Sequence, residues 1–114
     1  MRIVWTQEAL ERLEDIQYYL AVKQSAPQAA QDMIDKLIGK LPQIEDMPFS
    51  GKELADHSHP NIRELLENPY RIIYYVDGDV IYLISIMHQR QLLPKVKEIR
   101  TMVREAIKLT DSEY

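Results

Sequence analysis

Residues 68–91 read NPYRIIYYVDGDVIYLISIMHQRQ. Bulky apolar side chains recur at alternate positions on both sides of Asp77-Gly78, the period of a strand whose successive residues face opposite ways. An Asp-Gly link between two such runs signals a hairpin, because a type I′ turn needs positive φ at both central positions. With Asp77 and Gly78 in those positions, Tyr75 is expected opposite Val80, Ile73 opposite Tyr82 and Arg71 opposite Ile84. One face of the hairpin then carries Tyr70, Ile72, Tyr74, Val76, Ile81, Leu83, Ser85 and Met87, almost wholly apolar. The other carries Arg71, Ile73, Tyr75, Val80, Tyr82, Ile84, Ile86 and His88, so a guanidinium and an imidazole point the same way beside two phenols.

Upstream, IRELLE from Ile62 supplies a third short β-rich run, which makes a three-stranded meander. At the other end of the chain, RIVW (2–5) reads as a short strand. Thr6 follows as a helix cap, with Gln7, Glu8 and Glu11 loading the first turn as the helix dipole prefers. The spacing of Ala9, Leu13, Ile16 and Leu20 predicts a helix over about 7–24. Ser25 as a cap and Pro27 in a first turn open a second helix, about 27–41, whose stripe is Ala30, Met33, Ile34, Leu37, Ile38 and Leu41; Pro42 ends it. So short a connection predicts an antiparallel helical hairpin. Residues 42–61, PQIEDMPFSGKELADHSHPN, hold three of the six prolines and no sustained period, and read as a loop with a short turn. In PKVKEIRTMVREAIKL, the positions of Val96, Ile99, Val103, Ala106 and Ile107 predict a C-terminal helix over about 95–108, followed by a frayed TDSEY tail. The fold class is α+β, in the order β-α-α-β-β-β-α, with helices on the dry face of an antiparallel meander.

At 114 residues the chain is one domain with a real core. The absence of cysteine excludes disulfides and thiol catalysis, and three histidines are a poor basis for a zinc site. His57 and His59 stand two residues apart, but no set of carboxylates completes a metal site around them, so they are read as part of a polar loop. No cofactor motif is present. The start MRIVWTQEAL has no apolar signal-peptide core, so a soluble, cytoplasmic protein without a membrane partner is expected. The net charge of −4 is unevenly spread: residues 88–108 carry six basic side chains against two acids, which leaves −8 on the remainder. A basic C-terminal segment on an acidic protein suggests contact with an acidic partner.

Gly51 in the proline-containing loop, Arg63 with Leu65, YRIIY at 70–74 and His88 with Arg90, in this order and spacing, resemble the RelE/ParE superfamily of bacterial toxins. The resemblance spans residues 2–92. It implies a toxin domain over 1–92, with 93–114 as a helical extension of the same domain. It also implies a type II toxin–antitoxin module of the plasmid-stabilisation kind, in which a cognate antitoxin wraps a segment around the toxin. Two activities share this fold: RelE-like members cleave mRNA on the ribosome, and ParE-like members poison DNA gyrase without chemistry of their own.

Cleavage through the 2′-OH needs a base, cations for the phosphorane and an acid for the leaving oxygen. Glu53, Arg71 and His88 match the cleaving relatives' Glu–Arg–His arrangement, with Lys52 or Arg90 as further cations. Against this stand Gln89 and Gln91, near where such relatives carry a tyrosine, and an acidic balance unsuited to approaching a ribosome. The ParE-like reading is therefore preferred, with an inactive antitoxin-binding adaptor as a third possibility. Lys52, Arg63, Arg71, Arg90, Lys95, Lys97 and Arg100 are the candidate target- or nucleic-acid-binding residues. Arg71 has an alternative role as a structural partner of Glu64 or Glu67. The face with Ile73, Tyr75, Val80, Tyr82, Ile84 and Ile86 is too apolar to stand bare, so it is the expected antitoxin site; without the antitoxin, self-association is expected.

Overall fold

The computed structural model describes residues 1–54 and 59–112. β1 (Arg2–Trp5) leads into α1 (Gln7–Tyr18), which continues through a π-helical turn at Tyr19–Lys23. Then come α2 (Pro27–Ile38), the short α3 (Leu41–Asp46), a 3₁₀ turn at Pro48–Ser50 and the two-residue β2 (Lys52–Glu53). β3 (Ile62–Glu67), β4 (Tyr70–Asp77), β5 (Val80–His88) and α4 (Val96–Ser112) complete the chain. The five strands form one sheet in the order β1-β5-β4-β3-β2, antiparallel except for the β1–β5 pair.

Thr6 caps α1 as its sequence position predicts, accepting the Ala9 N–H at 3.1 Å. Its hydroxyl proton goes to the Leu83 carbonyl at 2.6 Å, so the same residue pins the helix start to β5. Two local expectations for the helical hairpin are corrected. Ser25 does not cap α2: it takes φ 51 and reverses the chain, and Ala26 holds the cap position. Pro42 does not stop a helix but opens α3, where its missing N–H costs nothing in a first turn. The loop of 42–61 is accordingly more structured than expected, holding α3, the 3₁₀ turn and β2. α4 runs on to Ser112, so the tail is helical further than its composition suggested; Glu113 and Tyr114 lie outside the described residues.

The hairpin forms, but in another register. Asp77 pairs with Val80, so Gly78 and Asp79 are the turn residues; only Gly78 has positive φ, at 58, which is the demand of a type II′ turn. Tyr75 therefore lies opposite Tyr82 rather than Val80, and their rings stack at 6.4 Å. A shift of two residues keeps every side chain on its expected face. A β-bulge then breaks that pattern: Tyr74 pairs with Leu83 but Ile73 with Ser85, so β5 holds one extra residue. Beyond it, Ile86 and His88 exchange sides with Met87.

Two cores result. On one face, Tyr70, Ile72, Tyr74, Val76, Ile81, Leu83 and Ile86 pack under α1, α2 and α3 through Ala9, Ile16, Ile34, Leu37 and Ile44. On the other, Ile73, Tyr82, Ile84 and Met87 pack against Ile99, Val103 and Ala106 of α4, together with Leu54 and Ile62. The sheet thus lies between two helical layers rather than having one open side. Ser85 is buried at the bulge and donates to Glu8 Oε2 at 3.2 Å, which satisfies the hydroxyl.

Tyr74 is fully buried, and its hydroxyl donates to the Pro48 carbonyl (2.7 Å) while accepting the Gly51 N–H (3.2 Å). A Cβ at Gly51 would lie 2.3 Å from that oxygen, which explains glycine there. Burial raises the phenol pKa of Tyr74, Tyr70 and Tyr75 above the ordinary 10.0. A tyrosine whose pKa is higher folded than unfolded contributes stability that is intact below about pH 10 and is lost as pH rises further. Thermal melts across the alkaline range are expected to fall in step with phenolate absorbance, and Tyr74→Phe is expected to flatten that fall.

Candidate functional site

Cross-strand pairing decides what the sequence-nominated residues can do together. Arg71 pairs with Met87 and His88 with Tyr70, so their side chains leave the sheet on opposite faces. The expectation that they share one open surface is corrected, and its cause is the bulge, which turns His88 toward α1. Glu53 pairs with Arg63 and Arg63 with Tyr74, which puts Glu53 on the side of His88. Four residues of β4 separate the two rungs, about 13 Å along the strand, and three strand spacings add about 14 Å across. A base, a cation and an acid that must converge on one phosphate are not brought together.

Arg71, Arg63 and His88 each have another occupation. Arg71 donates to Glu64 Oε2 at 3.3 Å and to the Gln89 carbonyl at 2.7 Å, the structural pairing foreseen as its alternative role. Arg63 donates to the carbonyls of Pro60 (2.8 Å) and Gly51 (3.1 Å), lies over the Phe49 ring at 5.1 Å and pairs with Glu53 at 3.5 Å. It clamps the β2 loop rather than facing outward. His88 Nδ1 accepts the Arg90 N–H at 3.0 Å, and its ring meets the Tyr70 ring edge-on at 5.4 Å. Lys52, Arg90, Lys95, Lys97 and Arg100 are exposed.

The proposed antitoxin face is also corrected. Ile73, Tyr82 and Ile84 are 2%, 4% and 2% exposed, because α4 of the same chain covers them. Tyr75 and Val80 pack at the margin of that cluster, and Ile86 lies in the opposite core. The expectation of self-association loses its premise with the bare face.

Two grooves among the described residues flank the sheet, one on each side. One, of about 610 Å³, lies between the π-helical end of α1 and the ends of β4 and β5; Arg12, Asp15, Tyr19, Gln24, Tyr70 and His88 line it. The other, of about 350 Å³, lies between α4 and the start of β3, lined by His59, Ile62, Tyr75, Arg100, Arg104 and Ile107 together with Val103. Of these residues, only Tyr75, Arg100 and His88 stood among the sequence candidates. Nothing in a single helix's periodicity could have joined Arg12 to His88 or His59 to Arg104, since each pair meets only through the sheet. His57 lies outside the described residues.

A five-stranded sheet with a parallel N-terminal edge strand and a helical hairpin on one face defines a small α+β domain. A family described as the ParE toxin of the type II toxin-antitoxin system parDE matches residues 3–93. The chain belongs to this family. It is 32% identical over 97 residues to the toxin candidate Y4kP of Sinorhizobium fredii, an alignment that covers 83% of this chain and 95% of that one. In structure it is similar to a chain of a chromosomal ParDE system from P. aeruginosa, with a TM-score of 0.61 and 22% identity over 77% of this chain and 95% of that chain. The fold is thus that of ParE toxins. No helix among the described residues is long and apolar enough to cross a membrane.

Proposed function

We propose that this ParE-family toxin acts in the cytoplasm by binding DNA gyrase, performs no chemistry of its own, and is held inactive by a cognate antitoxin. The observation that carries this reading is the separation of Arg71 from His88 on opposite faces of the sheet. It supports a binding role because RNA cleavage needs its acid, base and charge stabiliser around one phosphate. The ion pairs Arg71–Glu64 and Arg63–Glu53 add support, since both guanidinium groups already serve the fold.

The test sets the two activities side by side. Purified protein with gyrase and closed circular DNA is expected to accumulate linear, protein-linked DNA. With ribosomes and mRNA it is expected to produce no cuts. His88→Ala is expected to leave growth inhibition intact, whereas Arg71→Ala weakens it only as far as it destabilises the sheet. Codon-positioned mRNA cuts abolished by His88→Ala would establish the RelE-like alternative, and normal growth with neither signal would leave only an adaptor.

A further inference from the structure

One wall of the groove of about 610 Å³ comes from the π-helical turn at Tyr19–Lys23. A π turn sends each N–H to the carbonyl five residues back, and the Gln24 N–H donates to the Tyr19 carbonyl at 2.9 Å. Such turns are rare and concentrate at functional sites. Ser25 follows with φ 51, a left-handed conformation that a side chain disfavours, so two costly local geometries stand in succession beside this groove. Their effect shows at the rim. Tyr19 and Leu20 line the groove, and Gln24 Nε2 donates to the Tyr19 hydroxyl at 2.9 Å across the widened turn, which steadies the half-exposed ring.

The other wall is the end of the β4–β5 hairpin. Tyr70 lines the groove, is only 7% exposed, and has no hydrogen-bond partner for its hydroxyl among the described residues. Tyr74, four residues along the same strand, uses its hydroxyl both as donor and as acceptor. A buried hydroxyl is ordinarily paired, so the one at Tyr70 points to a partner from outside the fold. Burial, and then the neighbouring Tyr19 phenol, raise the Tyr70 pKa, so the group keeps its proton and can donate it. His88 meets the Tyr70 ring edge-on, and its Nδ1 accepts the Arg90 N–H at 3.0 Å, which leaves Nε2 to carry the ring proton as a second donor.

We propose that this groove binds a small, neutral, planar aromatic molecule with an oxygen acceptor at its edge: the rings lie against Tyr19, Leu20 and Pro69, and the oxygen takes the protons of Tyr70 and His88. Surface for that contact is available, since Tyr19 is 50% exposed and Leu20 and Pro69 are half-buried. The volume lies within the range of about 300–1,000 Å³ usual for small-molecule sites. Charge selects neutrality. Arg12 is the cation of the lining but is ion-paired with Glu8, and Asp15 is exposed on the same rim, so a phosphate would find no unshared cation. The aromatic rings of the lining favour a flat partner over a saturated one. The inference does not rest on the gyrase reading, and its test reads no toxicity.

The test is a titration of the isotope-labelled full chain, followed by its amide NMR shifts. The probe is coumarin, two fused planar rings with a carbonyl oxygen; indole, equally flat but without an acceptor, and adenosine monophosphate are the comparisons. Coumarin is expected to shift the amides of residues 19–24, 70 and 88, with a Kd of roughly millimolar or tighter. Indole is expected to bind about fivefold more weakly. Tyr70→Phe removes the hydroxyl alone: it is expected to weaken coumarin about fivefold, to leave indole as it was, and to leave the melting temperature unchanged because the hydroxyl serves no contact within the fold. Tyr19→Ala is expected to weaken both ligands, and Tyr18→Ala, exposed and off the groove, neither. Absence of saturable shifts, shifts scattered outside the groove, or parental coumarin binding by Tyr70→Phe would overturn the site. A lower melting temperature in Tyr70→Phe would overturn the assignment of its hydroxyl to a ligand. Tighter binding of adenosine monophosphate, lost in Tyr19→Ala, would overturn the choice of a neutral molecule in favour of a nucleotide.

Discussion

Tyr74→Ala is expected to lower stability by about 3–5 kcal/mol, the cost of emptying a fully buried aromatic site. The residue sits at the centre of the sheet with no exposed surface, and Leu83 lies opposite it on β5. Two different contributions can be separated. Tyr74→Phe keeps the ring but leaves the Pro48 carbonyl and the Gly51 N–H without their partner, which is expected to cost about 1–3 kcal/mol. Gly51→Ala attacks the same contact from the other side, because its Cβ would meet the phenol oxygen and the Glu64 carbonyl at 2.9 Å. Urea denaturation of the three variants measures the order: Tyr74→Ala lowest in midpoint, with Tyr74→Phe and Gly51→Ala between it and the parent. A Tyr74→Phe midpoint equal to the parent's would mean that the hydroxyl does not anchor the β2 loop.

A chain ended after Pro94 is expected to self-associate. Without α4, Ile73, Tyr82 and Ile84 would form a contiguous apolar strip on the sheet, of the kind that soluble monomers rarely expose. Ile99 and Val103 together contribute about 3–6 kcal/mol of burial, at about 1.5–3 kcal/mol for each large aliphatic side chain. Part of that gain is offset by the entropy of ordering the helix. Val103→Asp places a charge in the same core and is expected to cost about 3 kcal/mol with the full-length chain present. Light scattering on the shortened chain and urea midpoints for Val103→Asp read the two effects. A monodisperse shortened chain with an unchanged midpoint would show that α4 is not a structural layer.

The alternation of YRIIYYV and VIYLISIM, the cap at Thr6 and the stripe from Ala9 to Leu20 were legible because each reports on its own few residues. The groupings that depended on distant pairing were not. A turn displaced by one position moved the register by two, which changed partners but not faces, so the first core was still read almost correctly. The bulge moved Ile86 and His88 by one, and a one-residue slip exchanges sides. That single extra residue is why the Arg71 and His88 pair, plausible along the chain, does not exist in space. Arg63 was nominated for its charge, although three backbone carbonyls around it give it a structural role.

Taken alone, the order of residues determined the long helices and the strands of the meander, though not α3 or β2, and the toxin family they resemble, because hydrophobic period, caps and glycine turns act within a few residues. Tertiary structure decided which side of the sheet each chemical group occupies and which face stays open. The bulge is gathered by Thr6 and Glu8, which reach Leu83 and Ser85 across 77 positions of chain, and α4 returns over strands laid down before it. Interactions of that span set the orientation of His88 and the cover on Tyr82 without leaving any period in the sequence between them.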